Sequence, residues 1–205
     1  MFTGIITALG TIREVRQLGD LRVEIACPFD PAGIDIGASI ACSGVCLTVV
    51  ARGGTAGEAW FAVDISGETV SRTVPERWRE GHRLNLEPAL RLGDELGGHI
   101  VTGHIDGVGT VQCVVPDGDS HCITIAAPHE LAPYLAAKGS ITVDGVSLTV
   151  NAVEDDPDGS CHFMLNIIPH TAQVTTLGAL EAGNRVNLEI DVLARYLQRM
   201  QSLRG

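Results

Sequence analysis

The chain is short of cationic residues, of aromatics and of long apolar runs, and each shortage removes a class of function. Its 14 Lys and Arg stand against 25 Asp and Glu, a formal net charge of −11 over 205 residues. The field of such a protein repels phosphate, so neither nucleic acid nor an anionic membrane surface is an expected partner. No uninterrupted apolar stretch approaches the ~18 residues of a membrane-spanning helix. The opening Met1-Phe2-Thr3-Gly4-Ile5-Ile6 lacks the cationic region and apolar run of a secretory signal, and a cytoplasmic location is the expectation. The six cysteines include no CxxC pair, which disfavours zinc ribbons and dithiol redox motifs and points to reduced thiols. A GxGxxG turn, a GK[ST] phosphate loop and a GxSxG elbow are also missing, so neither a dinucleotide fold nor a P-loop nor an α/β-hydrolase is supported. What the chain does have is glycine, 24 residues, in a sequence that is 45 % hydrophobic. That is ample material for a packed core built from short strands and tight turns.

Self-similarity organises the rest. Phe2-Thr3-Gly4-Ile5-Ile6 returns as Val101-Thr102-Gly103-His104-Ile105, and Gly10-Thr11 returns as Gly109-Thr110. Gly44-Val45-Cys46-Leu47-Thr48-Val49 returns as Gly145-Val146-Ser147-Leu148-Thr149-Val150, and Gly81-His82-Arg83-Leu84-Asn85-Leu86-Glu87 as Gly183-Asn184-Arg185-Val186-Asn187-Leu188-Glu189. Three matches in the same order mark a tandem duplication of units of about 95 residues, too long for a solenoid repeat and right for a small domain. The linker is placed in Pro88 to Gly98, giving units 1–96 and 97–190 and a tail 191–205.

Each unit reads as β-structure. Val45-Leu47-Val49 alternates with Cys46-Thr48, and Val146-Leu148-Val150 with Ser147-Thr149, the period of two that gives a strand one apolar face. Leu21 to Ile25, Ala59 to Ile65, Cys122 to Ala126 and Cys161 to Ile168 are further strand candidates. Six short strands per unit suit a closed barrel, because closure removes sheet edges. Short helices are expected at Val74 to Trp78 and Glu130 to Lys138. After Asp191, a capping residue, Val192, Leu193, Tyr196, Leu197, Met200 and Leu203 fall at helical spacing. That stripe either docks on its own domain or joins subunits.

Chemistry is sought where the halves differ. Cys46 matches Ser147, Ile5 matches His104, and Ala89 matches Asp191. A hydroxyl, an imidazole and a carboxylate are equipment for proton transfer. Each also has a plainer reading: a tolerated strand serine, a structural histidine beside glycine, a helix cap. His99 and His104, five places apart, diverge on a strand or a helix, so a metal pair is not expected.

Beyond this the sequence resembles a known family. The blocks MFTGII, Gly37 to Val49 (GASIACSGVCLTV), Gly97 to Gly109 (GGHIVTGHIDGVG), Lys138 to Val150 (KGSITVDGVSLTV) and Ile167 to Gly178 (IIPHTAQVTTLG) are similar to the riboflavin synthase alpha-chain family of lumazine-binding double barrels, from Met1 to about Asp191. The resemblance implies an all-β fold of two tandem six-stranded antiparallel Greek-key barrels plus a C-terminal helix that assembles a homotrimer. It implies dismutation of two 6,7-dimethyl-8-ribityllumazine molecules to riboflavin and 5-amino-6-(D-ribitylamino)uracil by transfer of a four-carbon unit, without a cofactor or a metal. Lumazine synthase is an open question as a partner.

Carried over by position, the first barrel would bind one lumazine through Gly4, Ile5, Ile6, Cys46, Leu47, Thr48, Asp64, Ile65, Ser66, Gly67, Glu68 and Thr69. The second would use Gly103, His104, Ile105, Lys138, Ser147, Leu148, Thr149, Asn166, Ile167, Ile168, Pro169, His170 and Thr171. Catalytic weight is implied for His104, Ser147, Thr149, Cys46, Ser39 and Asp191. The C7 methyl of such a lumazine is a strong carbon acid because its anion delocalises into the ring. His104, helped by Ser147 and Thr149, is therefore the expected proton-transfer group, with the first barrel of one subunit facing the second barrel of a neighbour. The rival expectation is a non-catalytic lumazine- or flavin-binding antenna protein, which needs one good pocket and no acid–base set.

Overall fold

The computed structural model describes residues 1–157 and 159–203. Two closed antiparallel barrels follow one another in the chain. The first holds β1 (Ala8–Leu18), β2 (Asp20–Cys27), β3 (Ser39–Cys42), β4 (Val45–Thr55), β5 (Glu58–Ile65) and β6 (Arg83–Pro88), paired around the ring as β1-β2-β5-β4-β3-β6. The second repeats this with β7 (Gly107–Asp117), β8 (Ser120–Ala127), β9 (Ser140–Val143), β10 (Val146–Asp155), β11 (Cys161–Ile167) and β12 (Arg185–Ile190). Helices α1 (Gly67–Arg72) and α2 (Pro169–Val174) follow the fifth strand of each barrel, and α3 (Val192–Ser202) ends the fold.

The alternation read from sequence places the core. Val23, Ile25, Phe61, Val63, Ile65, Leu84 and Leu86 fill the first barrel, and their repeat partners Ile123, Ile125, Phe163, Leu165, Ile167, Val186 and Leu188 fill the second. Matched bulges turn the barrel corners: the register shifts between Ile12 and Glu14 and between Val111 and Cys113, then again after Val49 and after Val150.

The barrels meet around a local two-fold relation built from one hairpin turn of each. Ser43-Gly44 and Asp144-Gly145 have φ of 45°, 85°, 50° and 80°, the left-handed pair that a two-residue hairpin requires. A Cβ on Gly44 would lie 2.9 Å from the backbone nitrogen of Gly145, so the two turns touch backbone to backbone. Asn85 Nδ2 donates to the Asp144 carbonyl at 2.9 Å, and Asn187 Nδ2 donates to the Ser43 carbonyl at 3.0 Å. At these turns the symmetry is broken by a charge: buried Asp144, where the first barrel has Ser43, is ion-paired to buried Arg77.

Two expectations need correction. The stretch Glu130 to Lys138 is a 3-10 turn over His129–Tyr134, because Pro133 inside it removes a donor that a longer helix would use. The stretch Val74 to Trp78 is likewise a 3-10 turn, Pro75–Arg77. Helices α1 and α2 went unread because six residues are too few to show a helical period; the available signal was Ser66, whose hydroxyl accepts from Thr69 N at 3.2 Å.

Candidate active site

The outer wall of each barrel carries the same cross-strand row. On the first, Ser39 on β3 faces Thr48 on β4, and the Val49–Val63 register sets Thr48 next to Asp64 on β5. On the second, Ser140 faces Thr149, and the Val150–Leu165 register sets Thr149 next to Asn166. Because side chains alternate along a strand, Leu47, Ile65 and Ile167, expected as contacts, turn their side chains into the core and offer a ligand only backbone. Ser66, Gly67 and Glu68, and their counterparts Ile168, Pro169 and His170, are exposed where α1 and α2 begin. Thr69 and Thr171 are half-buried there. Lys138 has φ of 68° at the turn before β9, where the first barrel has Gly37. A non-glycine residue held in that region costs roughly 1–3 kcal/mol, and such strain concentrates at functional sites.

The segments preceding each barrel do not lie where the repeat suggests. Glu87, at the end of β6, accepts from Thr3 N at 2.6 Å, Thr3 Oγ1 at 2.7 Å and Gly4 N at 2.9 Å. Glu189 does the same for Thr102 N and Oγ1, both at 2.6 Å, and Gly103 N at 2.9 Å. Burial pushes both carboxyls up, and these hydrogen bonds oppose it. So held, each segment crosses to the other barrel. Ser147 N donates to the Gly4 carbonyl at 2.8 Å, and Cys46 N donates to the Gly103 carbonyl at 2.9 Å. Ile6 packs on the second core and Ile105 on the first. Glycine is required at both crossings: φ is 77° and 80°, and a Cβ would meet Ser147 Cβ at 2.6 Å or Cys46 Cβ at 2.5 Å.

The grouping of site residues changes accordingly. Gly4, Ile5 and Ile6 belong with Ser147, Leu148 and Thr149, whereas Gly103, His104 and Ile105 belong with Cys46, Leu47 and Thr48. Exposed His104 follows the glycine seated on Cys46. The imidazole that reaches Ser147 is His99, with Nδ1 at 2.7 Å from Oγ. His99 Nε2 is buried without a partner. Burial pushes this imidazole's pKa down, and the nearby Asp191 carboxylate partly opposes that. The lowered pKa favours the neutral imidazole, and the Nδ1–Oγ contact joins it to the Ser147 hydroxyl. Asp191 also caps α3, its carboxylate accepting from Leu193 N at 2.8 Å, which is the plainer of the two readings. Sequence reasoning weighed His99 only as half of a metal pair and not as a proton-transfer group, because the comparison of the two halves did not pair it with a differing residue; its signal was the pair Gly97-Gly98 before it, where a Cβ on Gly98 would strike the Thr3 carbonyl at 2.1 Å.

Helix α3 is two-sided. Arg195 donates to Asp106 and Val192 is half-buried, while Leu193, Tyr196, Leu197 and Met200 are 53–65 % exposed. Among the described residues no helix is long and apolar enough to cross a membrane.

Comparison with known proteins matches this architecture. The model of the lumazine binding domain matches twice, over residues 3–89 and 102–191. Riboflavin synthase of Brucella abortus is 47% identical over 204 residues, covering 98% of each chain. That of Photobacterium phosphoreum is 45% identical, covering 98% of this chain and 88% of its own. That of Mycobacterium bovis is 41% identical over the whole of both. Among solved structures, LumP complexed with 6,7-dimethyl-8-(1'-D-ribityl) lumazine superimposes with a TM-score of 0.76 at 26% identity, covering 93% of this chain and 99% of that one. LumP complexed with riboflavin gives 0.77 at 27%. With two matched domains, full-length relatives and the same row of side chains on each barrel, the chain belongs to the lumazine-binding, riboflavin synthase family.

Proposed function

We infer that this chain catalyses the riboflavin synthase reaction, the dismutation of two 6,7-dimethyl-8-ribityllumazine molecules to riboflavin and 5-amino-6-(D-ribitylamino)uracil. The observation that carries it is the duplicated row with unlike chemistry: two equivalent walls for two identical substrates, of which only the second carries His99, Ser147 and Asp191. Each barrel takes one lumazine, the first on Cys46, Thr48, Asp64 to Thr69 and Gly103 to Ile105, the second on Ser147, Thr149, Asn166 to Thr171, Lys138 and Gly4 to Ile6. Ser147 with His99 behind it removes the C7-methyl proton, and Cys46, Ser39 and His104 orient the partner lumazine. Holding both rings in near-attack geometry supplies a large share of the rate. Incubation with the lumazine alone, with no nicotinamide or metal added, is expected to yield riboflavin and the ribitylaminouracil in equal amounts. Tight retention of a fluorescent ligand without turnover would instead support the antenna reading.

The reaction requires the two bound lumazines to meet, and in this reading a first barrel of one copy faces a second barrel of another. The exposed apolar side of α3 fits this, and we propose a homotrimer joined by Leu193, Tyr196, Leu197 and Met200. Leu197→Glu is expected to give monomers by analytical ultracentrifugation, with each barrel still folded and turnover reduced at least about 100-fold, the scale set by loss of substrate juxtaposition. A trimer of full activity would refute the assignment.

A further inference from the structure

Arg22 lies outside every contact named above, yet it closes the first barrel's row. The β2–β5 register sets Arg22 opposite Asp64, continuing the line Ser39, Thr48, Asp64. Its guanidinium forks onto the carboxylate, Nε to Oδ1 at 2.5 Å and one terminal nitrogen to Oδ2 at 2.9 Å. The matching place in the second barrel pairs Cys122 with Asn166, a thiol and an amide.

This pair is not there to hold the barrel. Its side chains are 33 % and 37 % exposed, and exposed ion pairs contribute about 0–1 kcal/mol to stability. The second barrel closes with the same topology and without it. What the fork does is geometric. A carboxylate gripped by two parallel N–H donors is fixed in plane and uses one lone pair of each oxygen, so the other two lone pairs point away at a set spacing. Only hydrogen-bond donors can use them, and neighbouring hydroxyls of a sugar alcohol match two acceptors side by side. Asn166, by contrast, both donates and accepts.

We propose that Arg22 is a positioning residue for substrate: it locks Asp64 as a two-point acceptor for adjacent hydroxyls of a polyol side chain, so that the two half-sites grip the same substrate by different chemistry. This rests on the function inferred above, in which the substrate carries a ribityl chain.

The test uses the full chain. Arg22→Met is expected to raise KM for the ribityl lumazine about tenfold while kcat changes less than twofold, as loss of an oriented charge-assisted contact would do. The same variant is expected to leave unchanged the binding, followed by fluorescence, of a lumazine whose position-8 chain is an alkyl group without hydroxyls. Arg22→Lys keeps the charge but cannot fork, and should stay within about threefold of Arg22→Met. Equal weakening of both ligands, no weakening of either, or full recovery with Lys overturns the proposal. Unmodified protein that binds the ribityl lumazine but does not convert it defeats the enzymatic reading alone, and the ligand comparison still decides the role of Arg22. Unmodified protein that binds no ribityl lumazine overturns both.

Discussion

His99→Gln is expected to lower kcat about 100-fold, within the range removed with a general base, while the barrels stay folded and KM moves little. Glutamine fills the space and can still hydrogen-bond Ser147, so the loss isolates the imidazole's basicity from its packing. Burial holds the His99 pKa below its ordinary value, so the acid limb of kcat should lie below the ordinary value of about 6.5. The variant should show no limb there. The linkage sign is the same for stability. With the folded pKa depressed, the unfolded chain binds the proton first, so the contribution of His99 is present above about pH 6.5 and is lost as pH falls toward the folded value. A His99→Gln enzyme of unchanged turnover, with His104→Gln inactive instead, would return proton transfer to His104.

The largest stability effect is expected at Arg77. Asp144 is fully buried at the centre of the barrel contact, where it accepts from Arg77 and, at 2.8 Å, from Asn187 N. Arg77→Ala leaves that carboxylate without its counter-charge, and breaking a buried pair on one side costs about 3–5 kcal/mol. At about 2–4 °C per kcal/mol for a chain of this size, the thermal midpoint should fall roughly 10 °C. The chain itself supplies the control. Ser43 stands where Asp144 has its repeat partner, its hydroxyl accepting from Asn85 N at 3.2 Å, and Ala179 occupies the place matching Arg77. Arg77→Ala combined with Asp144→Ser rebuilds the uncharged version and should recover most of the loss. Burial already raises the Asp144 pKa and Arg77 opposes that. Without Arg77 the folded value rises further above the unfolded value near 3.9, so the deficit should be greatest at neutral pH and shrink toward about pH 4. An Arg77→Ala protein as stable as the parent at pH 7 would contradict this account.

Much of the fold was legible from residues in hand. Two barrels could be read because a strand with one buried face must alternate, and Val45-Leu47-Val49 and Val146-Leu148-Val150 alternate in matched places. The same alternation could have excluded Leu47, Ile65 and Ile167 as side-chain contacts, and their core positions show that a family stretch names a neighbourhood rather than each side chain. Cys46 against Ser147, Ile5 against His104 and Ala89 against Asp191 stood out as the places where the copies diverge.

The partners of those residues were another matter. A repeat pairs each segment with its own unit, and by that logic His104 belongs to Ser147. The tertiary structure sends Gly4 to Ser147 and Gly103 to Cys46, because the carboxylates of Glu87 and Glu189 pin the preceding backbone at the contact between barrels and glycine at left-handed φ turns it across. His99, with no counterpart in the first half, reaches Ser147 only through that crossing. Sequence by itself determined the alternating strands, much of the core, the duplication and the positions where the two copies differ, all of which follow from local alternation and local likeness. Only the tertiary structure decided which groups meet, because long-range hydrogen bonds and the close approach of two backbones leave no periodic mark on the chain.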